Sequence, residues 1–535
     1  MSNESAIRRD VGAIALMFTG LGSIIGSGWL FGAWRAAQLA GPGAIYAWII
    51  GAVVITFVAL TYAEQGAMFP ESGGAVRYGF YSHGTLVGFI AGWAAWIAIV
   101  SVIPVEAEAS VQYMSSWPWE WAQALYIKDA QLLTPAGLAI SAGLVVVYFL
   151  VNFWSVKVFA DTNSAITFFK LVVPAGTAIA LMATSFHPEN FKIGIHGGQH
   201  VYDVAAILTA VATSGIVFSY NGFQSPVNLA GEARNPGKSV PFAIFGSIFL
   251  STVVYILLQV AFLGAVAPEH VHEGWAALKY SSPFAQLALA LNLNWLALLL
   301  YADAFVSPSG TGSTYTATTA RMIYAMERSR TLPRVLGFVH PKYGIPRPAM
   351  WFNLAVSFIF LFFFRGWSSL AAVISVATII TYLVVPISVM ALRRTAPKLH
   401  RPLRIPGLPI LAPIAFVLAT LLLFWARWPQ TGEIMLLLVL PLPVYFYYQA
   451  QGNWRDFGRQ LKASWWLLAY LGSITVLSLV GSKQFGGRDY IHYGYDQLTV
   501  AIASLAFYFW GVKSGWRTPE IDALEEASIN AQHGA

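Results

Sequence analysis

Two apolar runs of this 535-residue chain are interrupted by residues that a plain membrane helix would not carry. The first reads Leu21-Gly22-Ser23-Ile24-Ile25-Gly26-Ser27-Gly28-Trp29, the second Phe218-Ser219-Tyr220-Asn221-Gly222-Phe223-Gln224-Ser225-Pro226. A break inside a bilayer frees N–H and C=O groups that lipid cannot satisfy, so it survives only where it lines a cavity or meets a ligand. Two breaks in corresponding positions of two halves point to the substrate site of a secondary transporter. Ionisable side chains fall in runs of the same kind, and these are read as functional by default. Lys170 lies about 12 Å from the start of its run near Thr162, at roughly 1.5 Å per residue. Few lysine stems snorkel across that depth, and a buried lysine changes charge readily. Asp303 lies about 14 Å from Asn294 by the same rise, near the midplane. Glu106 sits closer to the far end of its run, on the same half as Arg35, so the two could pair. Arg35 could instead hold a substrate carboxylate bidentately or anchor at the headgroup interface.

The elements that must position these groups are membrane helices. Hydrophobic residues make up 57% of the chain, charged residues 10%, and the mean hydropathy is +0.61, a composition that belongs in a bilayer. The net charge of +7 is then a property of loops, and it is no sign of nucleic acid. Cysteine is absent, which excludes disulfides and thiolate metal sites. Fourteen apolar runs are long enough to span: 11–36, 44–68, 84–115, 135–153, 162–185, 204–230, 240–266, 294–327, 349–365, 368–392, 409–426, 431–449, 465–482 and 496–512. An even count puts both termini on one side, and lysines and arginines divide 21 to 8 in favour of that side. The positive-inside rule therefore makes both termini cytoplasmic, in a multi-pass protein of the cell's inner (plasma) membrane. Residues 1–10 run into the first span without a cleavage site, which reads as an uncleaved span. Trp117, Trp119, Trp121, Trp454, Trp465 and Trp466 stand near span ends, as interfacial anchors do. The tail 513–535 is acidic and is expected to be mobile.

Both breaks, with further motifs, resemble the amino acid–polyamine–organocation (APC) transporter superfamily. The matching stretches are Gly22 to Gly28, Tyr62-Ala63-Glu64, Phe69-Pro70-Glu71-Ser72-Gly73-Gly74, Gly231-Glu232-Ala233-Arg234-Asn235-Pro236, and Ser307-Pro308-Ser309-Gly310-Thr311 leading to Arg321-Met322-Ile323-Tyr324. The similarity covers roughly residues 10–395, and Gly28 to Arg35 with Pro104-Val105-Glu106 are most similar to bacterial aspartate–proton symporters. The resemblance implies an all-α fold of the leucine-transporter type, with a core of two inverted repeats of five helices. The first repeat would be 11–185 and the second 204–392, with accessory helices in 409–512.

In that fold the start of a half-helix offers N–H groups and a positive dipole end to an anion. The α-carboxylate of an amino acid fits there, on the amides of Ser27 and Gly28 or the Ser27 hydroxyl. Carbonyls of Ile24, Phe218 and Ser219 would take the α-ammonium, with Ser23, Ile25 and Gly26 completing the first break. Phe218 resembles the family's aromatic lid. Asn221 and Gln224 either line the side-chain pocket or satisfy freed backbone. By resemblance, the Lys170 amine stands where sodium binds in sodium-coupled relatives, so Lys170, with Asp303 or Glu106, is expected to couple protons to transport. Glu64 and Glu232, near span ends, read as packing or gate salt bridges.

The expected function is proton-coupled symport of an L-amino acid, aspartate or glutamate being the first guess, with no cofactor and no metal. Amino-acid exchange on the same fold remains open, as does a homo-oligomer in which helices 11–14 pack on a second chain. An enzyme would need a catalytic constellation, yet the histidines lie in loops or at span ends and no H-E-x-x-H spacing occurs. A channel would need an axial ring of carbonyls or charges, usually supplied by several subunits.

Overall fold

The computed structural model describes residues 11–69, 74–154, 157–198, 200–341, 345–452, 454 and 456–533. Segment 1–10 and Pro70-Glu71-Ser72-Gly73 of the second motif lie outside them. The described chain is helical apart from short connections and one hairpin, β1 (Tyr126–Ile127) with β2 (Leu132–Leu133).

The first expected span is α1 (Ala13–Ile24) and α2 (Gly28–Ala40), and the second is α3 (Ala44–Met68). A short helix, α4 (Gly74–His83), leads to α5 (Thr85–Val100) and α6 (Val102–Met114), which share the third span. Helices α7 (Pro135–Trp154) and α8 (Lys157–Thr184) follow. The sixth span is α9 (Val204–Thr213), α10 (Ile216–Tyr220) and α11 (Ser225–Asn228). Then come α12 (Pro236–Ala265), α13 (Asn294–Arg328), α14 (Arg347–Phe363) and α15 (Trp367–Thr395). The last group is α16 (Leu408–Trp425), α17 (Gln430–Val439), α18 (Leu442–Gln451), α19 (Phe457–Val480), α20 (Tyr495–Ser514) and α21 (Pro519–His533).

Each expected apolar run thus falls on a helix or a broken helix. By length and hydropathy alone the described residues hold 9 helices able to cross a bilayer, or up to 11 with each bent pair taken as one span. The difference from fourteen has local causes. The break leaves α1 with 12 residues, and α2 runs through the Gly41–Gly43 turn into α3 as one continuous stretch of 41, so the first two expected spans count once. Helix α14 has only 17 residues. Helix α13, though 35 residues long, carries Asp303 and a Ser/Thr/Gly-rich stretch and is not among the apolar spans. The chain is an all-α, multi-pass membrane protein.

The core lies where α1 and α2 meet α9 to α11, with α12, α13 and α15 packed around them. Proline shapes one wall of it. Pro308 inside α13 has no N–H for the carbonyl of Ala304, and that oxygen accepts from Ser110 Oγ of α6 at 2.7 Å instead. The first part of the tail, expected to be mobile, is bonded to the helical bundle. Trp516 N–H donates to Ser82 O, Thr518 Oγ1 to Tyr81 O, and Arg394 to Gly515 O. Ile521 is fully buried and Arg517 pairs with Asp522 and Glu525, so α21 docks on α4.

Candidate functional site

The two interrupted spans break differently. After α1, Ile25 leaves helical geometry at φ −84°, ψ 85° and α2 restarts at Gly28. The second interrupted span breaks twice. Gly215 takes φ +92° between α9 and α10, and Gly222 takes φ +116° after Tyr220, a region that L side chains avoid. Across the 215 break the two pieces bend by 47°. The breaks are seated on each other. A Cβ on Gly222 would lie 2.7 Å from the backbone carbon of Ser23, and one on Gly28 would run into the Ser219 hydroxyl.

The freed carbonyls have partners. Tyr255 of α12 reaches both Ile24 O, at 3.2 Å, and Ser219 O, at 3.0 Å. Tyr315 of α13 makes longer contacts, 3.4 Å to Ser23 O and 3.5 Å to Asn221 O. A phenol has one proton, so each tyrosine satisfies one carbonyl at a time. Of the oxygens expected to hold an α-ammonium, Ile24 O and Ser219 O are those Tyr255 shares, whereas Phe218 O already accepts from Asn221 N–H at 3.0 Å. Neither tyrosine stands out in the sequence, where an aromatic in an apolar run reads as packing.

The first break's donors are also engaged. Ser27 N–H donates to Glu106 Oε2 at 2.8 Å, and Trp367 Nε1 donates to Ser27 Oγ at 2.8 Å. A protein carboxylate thus occupies the amide expected for the substrate's carboxylate. Glu106 therefore does not pair with Arg35, the pairing their shared half of the membrane had left open. The geometry of the break, one half-helix start facing α6, draws it inward. Its Oε1 has no partner, and a Cβ on Gly26 would lie 2.5 Å from it.

Lys170 of α8 reaches the same break from the other side. Its Nζ donates to Gly22 O at 3.0 Å and to Thr311 Oγ1 at 2.7 Å. Lys170, Glu106 and Asp303 are each buried, and the lysine feels both carboxylates. Asp303 Oδ1 accepts from Ser307 Oγ one turn along α13 at 2.7 Å, and Oδ2 has no partner. Asp303 is thus a neighbour of the lysine in charge, without a hydrogen bond to it.

The other expected residues divide. Phe218 packs edge-on to Trp367 at 5.9 Å, which in turn stacks near Phe31 at 4.8 Å. Ser23 Oγ and Ser219 Oγ turn back to helix carbonyls, Thr19 O and Gly215 O. Gln224 satisfies its own loop: Oε1 accepts from Gly222 N–H at 3.2 Å, and Nε2 donates to Asn221 Oδ1 at 2.8 Å. Beside Asn221 and Gln224 is a void of about 20 Å³, room for one water. Arg35 is absent from this cluster. Its Nη1 donates to Gln131 Oε1 at 3.0 Å and to Gln38. Among the described residues no group of three or more His, Cys, Asp or Glu is placed to hold a metal.

Residues 11–446 match the amino acid permease family. The chain is 58% identical to the glutamate/serine transporter AimA of Bacillus subtilis (strain 168), over 98% of this chain and 97% of that one. It is 35% identical to the aspartate-proton symporter of the same organism, over 98% and 99%. Identity to that organism's branched-chain amino acid permease BcaP is 25%, over 84% and 94%.

Proposed function

The chain belongs to the amino acid permease family of the APC superfamily, and from that premise we propose that it is a proton-coupled symporter of an acidic L-amino acid. The family is one of carriers, so the chain transports and is not an enzyme. Spans 1–5 and 6–10 form the two inverted repeats, each opened by a broken helix, with both termini cytoplasmic. The substrate lies between the breaks, its ammonium taking the carbonyls of Ile24 and Ser219 from Tyr255 and its carboxylate meeting the start of α2. The names of two relatives, for glutamate/serine and for aspartate with a proton, favour an acidic side chain.

One observation carries the coupling. Lys170 donates to the carbonyl of Gly22 at the very turn where α1 ends. Charged, the amine ties α8 to the first break and to Thr311 of α13. Neutral, it has fewer protons to share and the tie loosens. Protonation is thereby linked to the position of α1. Glu106 reports the same event at the neighbouring amide, since a carboxylate holds Ser27 N–H more strongly than a carboxylic acid does. Differential protonation of two conformations by one pKa unit supplies about 1.4 kcal/mol of bias.

Reconstituted protein should accumulate labelled aspartate or glutamate when the outside is acidic, and lose that accumulation when a protonophore is added. Lys170→Ala should abolish gradient-driven accumulation while sparing exchange at equal pH. If Lys170→Ala still accumulates substrate on a pH gradient, the coupling belongs elsewhere.

A further inference from the structure

A second polar cavity lies on the face opposite the termini, separate from the cluster of Lys170, Glu106 and Asp303. Its volume is about 460 Å³, within the range of small-ligand sites. Arg35 of α2 and Arg427, in the turn between α16 and α17, line it together with Gln131, Thr209, Thr213 and Ser369. No acidic side chain is among the described residues lining it. Both guanidinium groups are therefore uncompensated by any carboxylate of the wall. Arg35 is held by two glutamines through Nη1, which fixes its direction without neutralising it, and its buried Nε has no partner. Arg427 is exposed. Its backbone is fixed at φ +73°, with its carbonyl accepting from Thr431 N–H at 3.1 Å and Thr431 Oγ1 at 3.2 Å.

The cavity borders the central breaks through one side chain. Ser368 and Ser369 follow Trp367 directly, and Thr213 precedes the Gly215 turn. Trp367 lies between, bonded to Ser27, packed on Phe31 and Phe218, and pressed on Gly215, where a Cβ would fall 2.7 Å from the indole. An anion in the cavity would thus wait one indole away from the first break. The central cluster has Lys170 opposed by Glu106 and Asp303. The two arginines instead offer positive charge with no carboxylate among the described residues lining the cavity.

We propose that Arg35 and Arg427 form an outer anion subsite that captures the side-chain carboxylate of a dicarboxylic amino acid before Trp367 admits it to the breaks. The proposal rests on the transport reading above and on its assignment of this face to the outside. Clefts lined by one sign of charge raise ligand capture, and salt weakens the effect. Anionic lipid headgroups share the carboxylate's charge, but the serine, threonine and glutamine wall suits a water-soluble ligand.

The test uses the full-length protein in vesicles of phosphatidylcholine alone, comparing wild type with Arg427→Gln, an exposed position whose change leaves the core intact. At low salt the KM for aspartate should rise roughly tenfold, the lower bound of electrostatic steering, while kcat holds. The difference should shrink at high salt, and the KM for asparagine should not move. An unchanged aspartate KM in Arg427→Gln overturns the subsite. So does a shift that appears only when anionic lipid is added, which would assign the arginines to headgroups. A second readout does not depend on transport. Succinate, which lacks the ammonium needed at the breaks, should raise the melting temperature of the purified wild type but not of Arg427→Gln. Equal effects of succinate on both proteins sink the subsite, whereas failure of every amino acid to be taken up, with the succinate difference intact, sinks the transport reading alone.

Discussion

The buried polar residues around the first break divide into those that hold the backbone and those that hold charge, and the two kinds respond differently to substitution. Tyr255 bridges Ile24 O and Ser219 O without carrying charge. Tyr255→Phe should therefore cost about 1–2 kcal/mol of stability for the lost hydrogen bond, read as a lower melting temperature, and should leave the pH dependence of uptake in place. Glu106 combines both roles. Glu106→Gln keeps an oxygen acceptor for Ser27 N–H and should melt near wild type. Glu106→Ala leaves that N–H buried without a partner and should lose about 1–3 kcal/mol. Both variants should fail to accumulate substrate on a pH gradient, so a Gln variant with normal coupling would remove Glu106 from the proton route. Lys170, Asp303 and Glu106 were legible in the sequence because charge in an apolar run is conspicuous. Tyr255, Tyr315 and Trp367 were not, because nothing in their neighbours distinguishes a tyrosine that bonds a freed carbonyl from one that packs. The Glu106 contact with Ser27 was equally hidden, since it joins residues 79 apart in the chain.

At the scale of elements the sequence announced where helices stop but not how often. The stretch from Gly22 to Gly28 contains the first break, and the polar run after Tyr220 contains one of the second span's two. The other, at Ser214-Gly215, looks like a single tolerated glycine in an apolar helix. Only its φ of +92°, with Trp367 pressed against it, shows that the helix ends there. The same reasoning separates glycines that matter from those that do not. Gly222→Ala would force a side chain to φ +116° and onto Ser23 and the Tyr315 hydroxyl. Strain of that kind costs on the order of 1–3 kcal/mol, so a clear fall in melting temperature and lost uptake are expected. A methyl group on Gly143, inside α7, would meet nothing within 4 Å. Gly143→Ala should be neutral or stabilise by up to about 1 kcal/mol through helix propensity. Equal melting temperatures for the two variants would contradict the seating of one break on the other.

At the scale of the whole molecule, one buried ion pair joins the helices around the breaks to those that follow. Glu64, fully buried at the end of α3, accepts from Arg393 Nε at 2.8 Å and Nη2 at 2.5 Å, and from Ile405 N–H at 2.9 Å. Arg393 Nη2 also donates to Ile405 O at 2.8 Å. A single carboxylate thereby ties α3, the end of α15 and the stretch of chain leading into α16. The neighbouring Arg394 donates to the carbonyls of Lys513 and Gly515, which fixes the start of the docked tail. Charge in the sequence marked Glu64 and the arginines as polar groups at span ends, but their pairing depends on how α15 crosses α3, which no local pattern encodes. Removing one partner of a buried pair leaves the other charge uncompensated and costs about 3–5 kcal/mol. Arg393→Ala should therefore melt far below wild type. Arg393→Lys restores the charge but not the fork that spans both Glu64 oxygens and Ile405 O, because an ammonium bonds as a point. It should recover only part of the loss. The double variant Arg393→Leu with Glu64→Gln removes the unpaired charge and should be more stable than Arg393→Ala alone. If Arg393→Ala melts with wild type, the pair does not hold the later helices to the core, and the contact of α16 with α3 must carry that attachment instead.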